Sequence, residues 1–170
     1  SKLSLRSDHR GMTVTDLEKL LAVEEIKKLK ARYFRTMDTK DWDGLGTVFA
    51  PESVFDFGEA TIDPIDNPDD EGPAPVEGGE AIVAAICDAL SNVNSVHQGH
   101  MPEIEITSEK TAKAVWPMED VLRPISVGEL AEPFRPFKGY GHYHETYVCI
   151  DGAWRIKTSK LTRLRVEFLD

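Results

Sequence analysis

Asp38 closes a stretch in which apolar residues recur every three or four positions, and His97 opens a segment in which they alternate. Together the two residue types suit proton transfer. Imidazole titrates near neutrality, and a carboxylate beside it aims the ring and favours its charged form. On an ideal helix Asp38 lies about 100° from Met37 and about 140° from Tyr33, at the border of the apolar stripe. From there it can turn inward or stand in solvent. His97 and His100 are three apart, so on a regular strand they point to opposite faces. We assign the inward position to His97; its bland alternative is a hydrogen-bonded structural histidine. Tyr33 lies within the stripe, where a buried hydroxyl needs a partner.

Other groups carry less chemistry. His142 and His144 alternate with Tyr143, Glu145 and Tyr147, so the two sets occupy opposite faces. A His-x-His pair needs a third ligand to hold a metal, and no His-rich or Cys-rich segment supplies one, so no metal is expected. Arg163 and Arg165 share one strand face in a regular register. One of them serves as a pocket cation or as half of a salt bridge with a strand carboxylate. Cys87 and Cys149 are spaced neither as metal ligands nor as a redox pair and read as buried thiols. Phosphate-binding glycine loops and nucleophile elbows do not occur in the sequence.

The elements that must position these residues follow from pattern. Residues 16–38 form an amphipathic helix running from Leu17, Leu20 and Leu21 to Tyr33, Phe34 and Met37, capped by Thr15 or Asp16. Asp41 opens a short second helix over 42–49, which Pro51 ends. Residues 53–57 alternate as a strand. Residues 59–79, rich in Pro, Asp, Gly and Glu, form a loop. A third helix covers 79–90. Strands follow at 95–107, 111–123, 138–150 and 154–168, the last two a hairpin about Asp151-Gly152. Pro117 marks an edge or a bulge in the second. Helices before a run of long strands indicate an α+β domain. Such strands must curl. A curved antiparallel sheet wrapped on amino-terminal helices encloses an internal pocket.

The 170-residue length suits one domain over 13–170, with residues 1–12 as a disordered tail or an expression remnant. A net charge of −10 without a Lys/Arg block argues against nucleic acid. No apolar run reaches the roughly 20 residues that span a bilayer. A cytoplasmic location is expected, and no membrane partner. One face of a long sheet is left for a second copy, so a homodimer or homotrimer is expected.

The segments 26–45, Val96-His-Gln-Gly-His-Met-Pro-Glu-Ile104, Gly139-Tyr-Gly-His-Tyr-His-Glu-Thr-Tyr147, Gly152-Ala-Trp-Arg-Ile156 and Leu161-Thr-Arg-Leu-Arg165 resemble the polyketide-cyclase (SnoaL)-like branch of the nuclear-transport-factor-two-like superfamily. The resemblance covers roughly residues 17–167 and implies a cone-shaped, cystatin-like α+β roll. Its nearest catalytic patterns are those of scytalone dehydratase and bile acid 7-alpha-dehydratase. They imply catalytic roles for Asp38, His97 and Tyr33, and a substrate-binding role for Arg163. Met37 and Phe57 stand where these enzymes carry tyrosines and are read as substrate-binding. The function implied is a cofactor-free dehydratase or isomerase acting on a small apolar cyclic carbonyl compound. A ligand carrier or assembly subunit of the same fold is the alternative, and Asp38 as the base, with His97 turned away, is a third arrangement.

Overall fold

A computed structural model of the chain describes residues 14–60, 66, 69, 72–125 and 135–169. The tail at 1–12, much of the 59–79 loop and most of the 125–136 connection lie outside them.

Helix α1 spans Asp16–Asp38. Its start is set by a capping box: Thr15 accepts from the Glu18 backbone while the Glu18 carboxylate accepts from Thr15. Ile26, Leu29, Tyr33, Phe34 and Met37 are buried against the sheet. The expected stripe is longer than the buried one. Leu17, Leu20 and Leu21 are 58–66% exposed, so the first two turns do not pack into the core. Helix α2, Trp42–Gly46, is shorter than expected, and Phe49 already begins β1, Phe49–Asp56. Pro51 lies within that strand, where the register shifts between Phe49 and Val54, so its missing N–H costs no ladder bond. The two-residue β2, Val76–Glu77, pairs with β1 inside the expected loop, and α3 covers Gly79–Leu90.

The remaining strands are β3 Val93–Gly99, β4 Glu103–Ser108, β5 Thr111–Pro124, β6 Phe137–Ile150 and β7 Ala153–Phe168. The sheet runs β2-β1-β7-β6-β5-β3, and β4 also pairs with β5. The strand expected over 95–107 is therefore two strands. Both pair antiparallel with β5, and the chain steps out between them. Pro117 explains the step. Its carbonyl faces the break and accepts from His100 N at 2.8 Å. In an antiparallel strand a residue's N–H and C=O point the same way, so the donor that proline lacks also falls at the break. The sheet is mixed rather than wholly antiparallel, since β1 joins the far side of β7 in parallel.

Asp151 and Gly152 both have positive φ, 50° and 80°, as a two-residue hairpin turn requires. A β-bulge at Leu164 pairs Gly141 with Arg163 but Tyr140 with Arg165. The expectation that the two arginines share a face is thus corrected: Arg163 is buried and Arg165 is exposed. The inward row of β5 (Ala112, Ala114, Trp116, Met118, Asp120 and Leu122) and that of β6 (Tyr143, Glu145 and Tyr147) meet α1 across the concave face. This is an α+β roll whose curved sheet does not close. No described helix is long and apolar enough to cross a membrane.

Candidate active site

Between the concave face and α1 and α3 lies a cavity of about 330 Å³. Met37, Phe55, Phe57, Ile86, Leu90, Leu122, Phe137 and Leu161 make its apolar wall, and Tyr33, Asp88, His97, Asp120, Tyr143 and Arg163 supply its polar groups. A larger hollow of about 700 Å³ is bounded by Glu103, Glu105, Lys113, His144 and Thr158. It is open, half of its lining is exposed polar side chains, and Asp38, His97, Asp120 and Arg163 are not among the residues that bound it.

Asp38 and His97 meet. The imidazole Nδ1 is 2.6 Å from Asp38 Oδ1, and the His97 backbone N–H donates to Asp38 Oδ2 at 2.8 Å. Ser95 Oγ donates to Asp38 Oδ1 at 2.9 Å, and Lys40 Nζ donates to Ser95 Oγ at 2.9 Å. Lys40 reaches this point from a left-handed backbone, φ 61°, in the turn after α1. Burial pushes its ammonium down, and the Asp38 charge pulls it back up. Asp38 thus accepts three hydrogen bonds and stands behind the ring rather than in the cavity wall. His97 is the member that lines the cavity, its side chain 5% exposed against 21% for Asp38. Phe34 stacks on the imidazole at 6.4 Å with planes 12° apart. Gly99 makes that stack possible, since a Cβ there would lie 2.6 Å from the Phe34 ring. With Asp38 on Nδ1, the favoured tautomer leaves Nε2 as the free base.

Across the cavity wall His97 pairs in register with Asp120, and Asp120 with Gly139. His97 Nε2 is 4.0 Å from Asp120 Oδ2, beyond hydrogen-bond length but close enough for charge to be felt. Asp120 is held by Arg163 through two bonds, Nη1–Oδ1 at 3.1 Å and Nη2–Oδ2 at 2.7 Å. The remaining Arg163 donors reach Ala60 O, from Nε at 3.0 Å and Nη2 at 2.7 Å, and Met118 Sδ, from Nη1 at 3.4 Å. All five guanidinium N–H groups are thereby engaged. Of the two readings of Arg163 from sequence, the geometry is that of the salt bridge, although the group borders the cavity. Gly139 leaves room for it: a Cβ would stand 2.4 Å from both Arg163 Nη1 and Asp120 Oδ1.

Tyr33 and Tyr143 share the inner wall, rings 5.9 Å apart and nearly perpendicular. Burial pushes both phenols well above their ordinary range, and the Asp120 and Glu145 charges add to it. Beneath them Lys30 Nζ lies over the Tyr143 and Tyr33 rings, 3.7 and 4.2 Å from their centroids, and pairs with Glu145 at 2.6 Å.

Sequence reasoning named Asp38, His97, Tyr33, Met37, Phe57 and Arg163, and apart from Asp38 all of them line the cavity. It missed Asp120, Tyr143, Ser95 and Lys40. Asp120 had a signal, as the lone charge in an otherwise apolar even-numbered row. His100 is exposed beside Glu119, and His142 and His144 lie on the outer face with their rings 6.1 Å apart.

A family model described as "SnoaL-like domain" matches residues 18–160. Similar solved structures include a protein described as a candidate scytalone dehydratase from Novosphingobium aromaticivorans, at 16% identity and TM-score 0.72, covering 92% of this chain and 93% of that one. The hexachlorocyclohexane dehydrochlorinase LinA-type3 from Novosphingobium barchaimii LL02 aligns at 16% identity and TM-score 0.70, covering 91% and 94%. A protein described as a candidate aromatic ring hydroxylase, also from Novosphingobium aromaticivorans, aligns at 17% identity and TM-score 0.70, covering 91% and 96%. Three different reactions attach to one shape, so the likeness speaks for the fold and the chemistry must come from the site.

Proposed function

The chain belongs to the SnoaL-like domain family, and from that premise we propose that it is a lyase or isomerase that removes a proton from carbon in a small apolar cyclic carbonyl compound, with His97 as base. The observation that carries this reading is the Asp38–His97 pair, 2.6 Å apart, which presents a free Nε2 to an apolar cavity.

His97 Nε2 takes a proton from the carbon beside the carbonyl, and the C–H electron pair moves onto the carbonyl oxygen as an enolate. The imidazolium that forms is stabilised by Asp38 on one side and by the Asp120 charge on the other. The buried phenols are donors for the enolate oxygen. The same proton then returns to a different carbon in an isomerisation. In a dehydration it leaves with the β-hydroxyl as water while the enolate collapses to an unsaturated ketone. A candidate dehydratase and a dehydrochlorinase among the structural neighbours both bear names for eliminations, which remove a proton from carbon.

The test is deuterium uptake from D2O at the α-carbon of a panel of cyclic ketones and β-hydroxyketones, read by mass spectrometry. Uptake by the native chain that disappears in His97→Ala is expected. Tight binding of panel members with no exchange would leave a ligand-binding module in place of the enzyme.

A further inference from the structure

The polar end of the cavity contains an arginine, and an arginine in a pocket usually suggests a carboxylate or phosphate ligand. Here the arithmetic of donors runs the other way. Arg163 has five N–H groups, and Asp120, Ala60 O and Met118 Sδ take all of them. An anion could claim the guanidinium only by displacing one of these acceptors, and taking the place of the Asp120 carboxylate, which is 3% exposed, would leave that charge unpaired. Losing one partner of a buried pair is strongly unfavourable. Asp88 also lines the cavity, so the charges beside an incoming anion would be mainly negative. A second polar side chain is better placed to meet a ligand. Tyr143 lies on the inward row of β6, its side chain buried and its ring against Tyr33, and it faces the same cavity as His97. Burial pushes its phenol above the ordinary range, so the hydroxyl keeps its proton and can donate to a ligand in the cavity.

We propose that the cavity selects an uncharged molecule with a hydrogen-bond-accepting oxygen, and that Tyr143, rather than Arg163, is the catalytic residue that binds and polarises that oxygen. This rests on the proposed carbonyl chemistry and refines it. The class is a neutral ketone or aldehyde on an apolar ring, and carboxylates of the same shape are rejected. Tyr143 also supplies the hydroxyl that the phenyl ring of Phe57 lacks, since both side chains line the same cavity.

Two probes of one shape test it: 2-acetylnaphthalene and 2-naphthoate, titrated calorimetrically at neutral pH. The ketone is expected to bind at least tenfold more tightly than the carboxylate. The carbonyl stretch of carbonyl-13C ketone should fall on binding. The Tyr143→Phe variant should lose about tenfold in ketone affinity and most of that shift, leaving naphthoate binding unchanged. Naphthoate binding as tightly as the ketone, binding of neither probe, or a Tyr143→Phe variant with both affinity and stretch intact would each overturn it. The proton-transfer reading fails separately, through absent deuterium uptake, and these outcomes do not depend on it.

Discussion

Two buried ionic clusters lie side by side on the concave face, and they differ in one respect. Lys30 and Glu145 are both essentially unexposed, and every charge of the cluster has a partner. Ser159 Oγ donates to Glu145 at 3.0 Å, the Tyr147 hydroxyl donates to it as well, and Trp116 Nε1 donates to Tyr147 at 2.8 Å. Aromatic rings of Tyr33, Phe34 and Tyr143 surround the ammonium. Burial pushes the Lys30 ammonium down, and Glu145 pulls it back up. The second cluster, Asp38–His97 with Asp120–Arg163, is built from the same kinds of groups. It borders about 330 Å³ of space, and His97 Nε2 is left facing it. A saturated cluster can only hold the fold together. A cluster with an open position beside a cavity can do chemistry.

The largest expected effect breaks the second cluster. Single variants His97→Ala and Asp38→Asn should each lower turnover about 10²–10⁴-fold, the usual worth of a placed acid–base. The double variant should lose little more, since the pair acts as a unit. Melting should shift by only a few degrees in each. Loss of folding instead of rate would erase the distinction between the clusters.

Lys30→Met should do the opposite. It strands the Glu145 carboxylate and should destabilise the fold by about 3–5 kcal/mol in urea unfolding. Replacing both, as Lys30→Met with Glu145→Leu, should recover much of that. A Lys30→Met protein as stable as the native one would contradict the structural role.

Gly139→Ala tests the seat of Arg163 on Asp120. Its new Cβ falls 2.4 Å from both partners, and an overpacked core position costs about 1–3 kcal/mol. Thermal unfolding reads the loss, and no change would mean that the pair can shift freely.

Alkaline pH gives a graded effect. Tyr33, Tyr143 and Tyr147 are all raised above their ordinary value, first by burial. Above about pH 10 the unfolded chain releases phenolic protons that the folded chain keeps, so the stability they contribute, complete below that pH, falls as pH rises. Lys30, pushed down by burial, opposes this with a single group. Ultraviolet titration should show these three tyrosines ionising only as the protein unfolds. The smallest effect is expected from His142→Ala on the outer face, within about 0.5 kcal/mol of native stability.

Much of this was legible in order. Helix α1 was bounded at Asp16 and Asp38 by its cap and its period, whereas His100, which parity set opposite His97, lies just past the end of β3 at the break, exposed beside Glu119. Periodicity alone extended the stripe to Leu17, Leu20 and Leu21, because it reports which residues share a face and not how far the opposing sheet reaches. The Arg163 and Arg165 assignment failed at one inserted residue. A bulge resets parity, and nothing in the local pattern announces it.

What the sequence determined by itself was therefore local and periodic: the element types, the α+β class, and Asp38 at the end of the stripe. Tertiary structure decided which of the inward charges meet. Asp120 stands opposite His97 only through the β3–β5 register, and Arg163 reaches Asp120 only across the side-chain-free Gly139 in the strand between them. Such pairings depend on register and on empty space between distant segments. Residue order carries those quantities only through the folded packing as a whole, whereas hydrogen bonding and hydrophobic period act within a few residues.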